Sequence, residues 1–218
     1  MALAIGNKTV DWTTPAATTR TFSHNGSVGA NGYLFLVIAM SNPAMTFTSV
    51  TYGGNAMTSL SFNITSNTTS VWGIFYLANP PTGANNVVIT FSTAQYNPVS
   101  TFAFSATGCD GPGNTVFTDT TTSPSSTTLT VSSNSMIFGG LLAGNNTGHV
   151  ITLDGSSRTL EYTSAINNYT SGALSLTGLT SGSKTVSVAA GANLAGNYFE
   201  IKEFAAATST QGMLLMFM

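Results

Sequence analysis

The sequence predicts an all-β protein, a two-sheet antiparallel β-sandwich of jelly-roll type. Helical signals are nearly absent, because no window of about 12 residues combines apolar residues at a spacing of 3.6 with helix caps. Short apolar or alternating runs bounded by Gly and Pro recur instead, as in strands. The chain is 42% hydrophobic and contains 13 Phe, 7 Tyr and 2 Trp. It can therefore bury a core and does not have the composition of a disordered chain.

The first half of the chain carries the most regular strand patterns. Residues 32–40 are a continuous apolar run, which indicates a central strand covered on both faces. Residues 46–52 alternate, with Phe47 on one face and Val50 on the other. Gly53-Gly54-Asn55 then predicts a hairpin turn with positive φ angles. Further strands are predicted at residues 56–62, 71–77, 86–91 and 100–106.

The second half resembles the first at offsets of 97 to 103 residues, which indicates an internal duplication of about 100 residues. The aligned segments are 134–138 with 31–35, 151–155 with 50–54, 171–176 with 71–76, 184–188 with 87–91 and 198–201 with 101–104. Because identity between the halves is low, convergence of two strand-rich halves is the alternative. Each half could form its own sandwich, or the halves could interleave as the two Greek keys of one sandwich. We expect one shared core.

The predicted organisation has three parts. Residues 1–15 are expected to form an N-terminal arm, and residues 16–205 the β-sandwich, with pseudo-repeats at 31–108 and 134–205. Residues 206–218 form an apolar C-terminal tail. Its last six residues are the candidate partner-binding residues, namely Met213, Leu214, Leu215, Met216, Phe217 and Met218. Soluble proteins rarely expose so continuous an apolar patch, so we expect the tail to dock on a neighbouring subunit or shell, or else to cap its own sandwich.

Charged residues make up 6% of the chain, against about 25% in typical proteins, and the net charge is −2. The five cations are scattered along the sequence, namely Lys8, Arg20, Arg158, Lys184 and Lys202. Nucleic-acid binding and membrane binding both require clustered basic residues, so neither partner is predicted. A surface of hydroxyls and amides suits a protein held in an assembly or in a salty exterior. The N-terminus has no signal-peptide pattern, which favours a protein that leaves the cell within a particle.

No constellation of catalytic residues is predicted, and neither a cofactor nor a metal is expected. His24 and His149 lie in predicted turns or loops, and no Gly-x-Ser-x-Gly motif positions a nucleophile for a triad with His149 and Asp154. Zinc-ligand spacing, a P-loop and a dinucleotide fingerprint are all absent. Cys109, the one cysteine, is interpreted as a buried or loop thiol.

Two further groups of residues have alternative readings. Glu200 and Glu203 could be a pair of catalytic carboxylates, but with Lys202 between them a salt-bridged edge strand is the simpler interpretation. Trp12 and Tyr96 could stack on sugar rings, although aromatic residues more often pack in a core or an interface.

Three segments carry a resemblance to a known group of proteins. They are residues 50–58 (VTYGGNAMT), 76–83 (YLANPPTG) and 104–108 (FSATG). These segments resemble a β-sandwich family found in bacteriophage particle proteins and in environmental bacterial surface proteins, over about residues 31–204. The resemblance implies a sandwich fold and no catalytic residues. Its phage members imply roles in capsid decoration or in tails and fibres.

These observations together predict a non-enzymatic virion structural protein. We expect a capsid decoration, or cement, protein that binds virion proteins such as the major capsid protein, forms homo-oligomers and is located in the virion. The alternative is a tail-fibre or adhesin-type module that binds host-surface glycans and is extracellular or on the cell surface. The chain contains no heptads for a fibre shaft, which favours decoration.

Overall fold

A computed structural model describes residues 2–13, 17–26, 28, 31–40, 44–64, 70–95, 99–121, 125–143, 150–158, 162–166, 169–189 and 194–204. Every regular element in these ranges is a β-strand, and every pairing is antiparallel. The predicted all-β antiparallel sandwich fold is therefore confirmed. The strands of the first half are β1 (Ala4–Thr13), β2 (Ala17–Asn25), β3 (Tyr33–Met40), β4 (Phe47–Tyr52), β5 (Asn55–Ala56), β6 (Thr58–Ile64), β7 (Val71–Ala78), β8 (Ala84–Gln95) and β9 (Val99–Thr107).

The second half follows after Gly108. Its strands are β10 (Cys109–Thr120), β11 (Ser125–Val131), β12 (Ser135–Ala143), β13 (Val150–Leu153), β14 (Ser156–Arg158), β15 (Tyr162–Ile166), β16 (Tyr169–Leu179), β17 (Gly182–Ala189) and β18 (Leu194–Glu203). Each half thus supplies nine described strands, and the two sets have matching hairpins and matching crossovers.

The strands form four sheets, two in each half. The N-terminal sandwich has an inner sheet of order β1-β9-β3-β7-β6 and an outer sheet of order β2-β8-β4-β5. The C-terminal sandwich has an inner sheet of order β10-β18-β12-β16-β15 and an outer sheet of order β11-β17-β13-β14. Raising each strand number of the first half by nine gives the order of the second half, as duplication predicts.

Of the two arrangements that the sequence left open, the strand order matches a separate sandwich for each half. Within the described ranges, strands of one half pair only with strands of the same half, so the sheets number four. Strands that are close in sequence pair most readily, and each half already contains a complete set.

The expected N-terminal arm is corrected by the structure. Ala4–Thr13 is strand β1, which pairs with β9 and forms one edge of the inner N-terminal sheet. Leu3 and Ile5 pack against the core there, which gives this segment a reason to be ordered. The predicted C-terminal tail, residues 206–218, lies outside the described part of the chain.

Three apolar clusters are buried in the described part of the molecule. One fills the N-terminal sandwich, one fills the C-terminal sandwich, and the third lies between the two inner sheets. Strand β3 contributes to two of them, since Leu34 and Leu36 enter the N-terminal core while Phe35 and Val37 enter the central one. The continuous apolar run is therefore covered on both faces, as predicted. The expected single core of interleaved halves is wrong, because each half has its own core cluster and the central cluster lies between the two sandwiches.

The central core is built around four phenylalanines that repeat between the halves. Phe35 pairs with Phe104 across β3 and β9, and Phe138 pairs with Phe199 in the same way across β12 and β18. Between the sheets, the rings of Phe104 and Phe138 stack at 4.0 Å, and those of Phe35 and Phe199 lie 5.4 Å apart. Phe35 and Phe104 of the first half are equivalent to Phe138 and Phe199 of the second half. Exchanging the two halves therefore converts one inter-sheet contact into the other, which is the pattern of an isologous, two-fold interface.

The hairpin turns repeat as well, although some registers differ from the aligned sequence. Gly53 and Gly54 adopt positive φ in the predicted turn, and Asp154 and Gly155 do so at the equivalent turn. Phe35 pairs with Tyr76 of β7, and the equivalent Phe138 pairs with Ser175 of β16. Strands β7 and β16 are therefore related by an offset of 99 residues, rather than the predicted 100. The β12–β16 ladder contains a register shift, which sequence alignment alone cannot locate.

Candidate functional site

An apolar pocket opens at one edge of the N-terminal sandwich, where β6 borders the inner sheet. The pocket has a volume of about 180 Å³. We call it the edge pocket, and it is lined by Thr46, Phe47, Ser59, Phe62 and Phe75. Strand β4 and the residue before it supply one wall, and β6 and β7 supply the other. The pocket therefore lies in the gap between the two sheets of one sandwich.

The geometry of the edge pocket is set by the ring of Phe47. This ring meets Phe62 and Phe75 edge to face, with centroid distances of 5.8 and 5.2 Å. Phe75 is buried, whereas Phe62 is 42% exposed, so Phe75 lies on the inner side of the pocket and Phe62 at its rim. Edge-to-face contacts hold aromatic rings in defined orientations, so the walls of the pocket are preformed.

The position of Phe47 differs from the sequence-based expectation. Simple alternation places Phe47 on the opposite face from Val50, but both pack in the same core cluster. A register shift between Phe47 and Ser49 explains the difference, because an extra residue returns the next side chain to the same face. This pocket was not predicted from the sequence. The available signal was an uncharged segment, residues 58–64, with Phe62 and Ile64 two positions apart.

Phe62 and Ile64, which we call the β6 strip, are exposed by 42% and 51%. Strand β6 contains no charged residue, and among the described strands it pairs only with β7. Its other face is fixed against the C-terminal sandwich, since Asn197 Nδ2 donates to Ser61 Oγ at 3.2 Å. An uncharged edge strand with exposed apolar side chains is an unusual feature, because proteins normally protect such edges from association.

The opposite edge of the same sandwich, between β1 and β2, is closed by polar contacts. Arg20 is buried and pairs with Asp11 through both Nε and Nη2. His24 Nδ1 lies 2.9 Å from Thr9 Oγ1, and Asn7 Nδ2 donates to the carbonyl of Asn25 at 3.0 Å. Each of these contacts joins the inner sheet to the outer sheet.

His24 was expected in a turn, but it lies in β2 and is buried. Burial lowers the pKa of its imidazole to about 4, so the ring is neutral at physiological pH. Tyr52 lies beside it and accepts a hydrogen bond from Gly26 N at 2.9 Å. The Tyr52 hydroxyl also lies 3.1 Å from the carbonyl of His24 and 3.0 Å from that of Gly83. His24 and Tyr52 are therefore parts of a structural network.

Of the His149 and Asp154 pair that was considered for a catalytic triad, the structure describes only Asp154. Asp154 Oδ1 accepts a hydrogen bond from Thr185 N at 2.8 Å, and its Oδ2 lies 3.6 Å from Lys184 Nζ. These contacts tie the β13–β14 turn to β17. His149 lies outside the described residues, as do Tyr96 and the side chain of Trp12.

The interpretation of Glu200 and Glu203 as part of an edge strand is corrected. Their strand, β18, lies between β10 and β12, and Glu200 is buried. Its carboxylate accepts hydrogen bonds from Ser132 N at 2.6 Å and from Asn114 N at 3.3 Å. A buried carboxylate held by backbone N–H groups satisfies its hydrogen-bonding capacity without a substrate. Glu200 therefore ties the irregular part of β10 and the β11–β12 connection to β18.

Cys109 is buried at the start of β10. Burial raises the pKa of its thiol to about 12, so the thiolate that a nucleophile requires is scarce at neutral pH. Among the described residues, no group of three or more His, Cys, Asp or Glu side chains is placed to hold a metal ion. The same described residues contain no helix long and apolar enough to span a membrane.

Comparisons with known proteins add little to this picture. No protein-family model matches the sequence, and the search of curated proteins gave no match. Among solved structures, the chain is similar to an uncharacterised protein from Listeria monocytogenes EGD-e, at 10% identity and a TM-score of 0.25. The match covers 93% of this chain and 22% of the Listeria chain.

Proposed function

We propose that this chain is a non-enzymatic structural protein of a virus particle, a decoration protein that binds virion proteins such as the major capsid protein. The observation that carries the proposal is the β6 strip beside the edge pocket. Exposed apolar residues next to a preformed apolar pocket are typical of a surface that binds another protein. The proposal includes homo-oligomer formation and location in the virion.

The use of the charged residues supports a structural role. Several of the described acids make structural contacts, with Asp11 paired to Arg20, Asp154 to Lys184, Asp110 to Lys202, and Glu200 to backbone N–H groups. Catalytic sites gather titratable groups with perturbed pKa values around a cleft. The edge pocket is lined by aromatic and hydroxyl side chains instead. The edge pocket can therefore bind a partner through apolar contact area and complementary shape.

A glycan-binding adhesin module is the second candidate, and the same pocket provides its supporting observation. Sugar rings stack on aromatic side chains and bond to hydroxyls, and the edge pocket presents Phe62 together with Thr46 and Ser59. Its volume of about 180 Å³ is below the range of about 300–1,000 Å³ that is typical of small-molecule sites. The pocket therefore fits an anchoring protein side chain better than an oligosaccharide.

Particle purification tests the two candidates. Particles from cells that express the chain would be purified on a density gradient, analysed by mass spectrometry and imaged at low resolution. The proposal predicts the chain in the particle fraction, with density on the capsid surface. A chain found only outside particles would overturn the proposal. A soluble protein that binds a glycan array through Phe62 would support the adhesin module.

A further inference from the structure

We propose that the β6 edge and the edge pocket receive the C-terminal segment of a neighbouring copy. In this arrangement, residues 213–218 of one molecule add to β6 of the next as an antiparallel strand, and an apolar side chain enters the pocket. This arrangement specifies how the proposed homo-oligomer forms, and it rests on the proposed function in that respect alone. It names the occupant of a surface that the described residues leave open.

The chemistry of the two surfaces matches. The edge pocket has the size of a large apolar side chain and is walled by three phenylalanine rings. The tail supplies only apolar side chains, in the order Met213, Leu214, Leu215, Met216, Phe217, Met218. Methionine and leucine adapt to irregular apolar surfaces, and sulfur makes favourable contacts with aromatic rings. Neither surface carries a charged side chain that association would have to desolvate.

The backbone of β6 offers the second part of the contact. Its seven residues, Thr58–Ile64, form an edge that pairs on one side with β7 and, within the described ranges, on no other side. An extended peptide can continue a sheet at such an edge, with main-chain hydrogen bonds for affinity and side-chain pockets for specificity. The six residues of the tail are one fewer than the seven of β6, and neither segment contains a proline or a charged residue that would oppose pairing.

Strand direction favours a neighbour's tail over the molecule's own. Phe204 N donates to the carbonyl of Gly108 at 2.7 Å, so the described chain ends beside the end of β9. Thr58, the first residue of β6, lies at this same end of the inner sheet, because it pairs with Tyr76 near the end of β7. A tail that arrives from its own Phe204 would therefore run parallel to β6. All described pairings are antiparallel, and a neighbour's tail can enter beside Ile64 and run antiparallel.

Reach does not separate the two arrangements. Phe62 lies three strand spacings across the sheet from Gly108 and about four residues along β6, which are perpendicular displacements and give a direct distance of about 20 Å. The eight residues 205–212 cover at most about 29 Å when fully extended. An unconstrained chain of that length has a root-mean-square span of about 16 Å. The molecule's own tail can therefore reach the pocket, and it is strand direction that favours a neighbour.

Sedimentation of the purified full-length chain in the absence of particles tests the proposal. We expect concentration-dependent association of the intact protein. Deletion of residues 213–218, or the double substitution Phe62→Ser and Ile64→Thr, should weaken association at least tenfold. Val150→Thr is the matched control, because Val150 is also exposed, by 53%, but lies on the C-terminal sandwich. The control should associate like the intact chain, and circular dichroism should show that every variant is folded.

A labelled peptide with the sequence of residues 208–218 gives an independent readout. It should bind the truncated protein and fail to bind the truncated protein that also carries the Phe62 and Ile64 substitutions. An intact chain that stays monomeric at about 100 μM would overturn the proposal, as would truncated protein that still associates. Monomers whose melting temperature falls on truncation would show that the tail caps its own sandwich. None of these outcomes depends on whether the chain occurs in particles.

Discussion

The two edges of the N-terminal sandwich are built in opposite ways. Between β1 and β2, the gap between the sheets is closed by the Arg20–Asp11 pair and by His24 with Thr9. Between β4 and β6, aromatic rings line the gap between the sheets, and the gap opens to the surface at the edge pocket. Phe62 and Ile64 are exposed there. The closed edge therefore supports stability, whereas the open edge is available for a partner. Substitutions at the two edges should separate these roles.

Removing the carboxylate of Asp11 should have the largest effect on stability. Asp11→Ala leaves the buried Arg20 guanidinium without this partner, and breaking a buried pair costs about 3–5 kcal/mol. Urea denaturation would measure the free energy of unfolding. Asp110→Ala is the control, because its pair with Lys202 spans 3.8 Å at the surface and contributes at most about 1 kcal/mol. Equal losses in the two variants would contradict the assignment of the closed edge.

Acidification should destabilise the closed edge through His24. The folded protein holds the imidazole pKa at about 4, against 6.5 for an exposed histidine, so between these values the unfolded chain binds more protons. Stability from this group is therefore complete above pH 6.5 and is lost as the pH falls towards 4, by at most about 3 kcal/mol. Thermal denaturation of the parent and of His24→Asn across this range would measure the difference. Parallel pH profiles would show that His24 does not contribute.

Tyr52→Phe should have a smaller effect. The substitution removes a hydroxyl that accepts from Gly26 N and lies within hydrogen-bond distance of two carbonyls, and the loss of such a buried group costs about 1–3 kcal/mol. Hydrogen exchange should show faster opening at Gly26 than at β3. Uniform acceleration throughout the sandwich would indicate a general loss of core packing instead.

Ile64→Thr at the open edge should have the smallest effect. Ile64 is 51% exposed, and surface substitutions usually change stability by no more than about 0.5 kcal/mol. Its melting temperature should match that of the parent protein, measured by the same thermal scan. A large decrease would show that the β6 strip belongs to the core of its own sandwich and is not a binding surface.

Much of the fold could be predicted from the sequence because its signals are local. The apolar run of residues 32–40 predicts a buried strand and the Gly53-Gly54 pair predicts a hairpin turn, and both predictions were confirmed. The duplicated strand order followed from weak but ordered similarity between the halves. The pairing partners of distant strands could not be predicted in this way, which is why the number of sheets differed from the expectation.

The candidate site was harder to predict, because it depends on irregularities in the strands. The register shifts at Phe47 and at Ser59 decide which side chains meet between the sheets, and no residue pattern marks them in advance. Strand β1 was missed for a related reason, since a register shift between Ile5 and Lys8 interrupts its alternation. An edge position was predicted for Glu200 because its neighbours are charged, whereas backbone N–H groups that are distant in sequence, in β10 and in the β11–β12 connection, allow its burial.

The two-fold packing of Phe35, Phe104, Phe138 and Phe199 has a consequence for assembly geometry. In a dimer of two identical sandwiches packed in this way, each edge would occur twice. Any substitution at an edge would then appear in both copies. Joined in one chain through Gly108, the halves can differ. The N-terminal half can keep an adhesive edge while the equivalent edge of the other half changes independently. With the β6 edge as acceptor and a neighbour's C-terminal segment as donor, the proposed arrangement links copies head to tail.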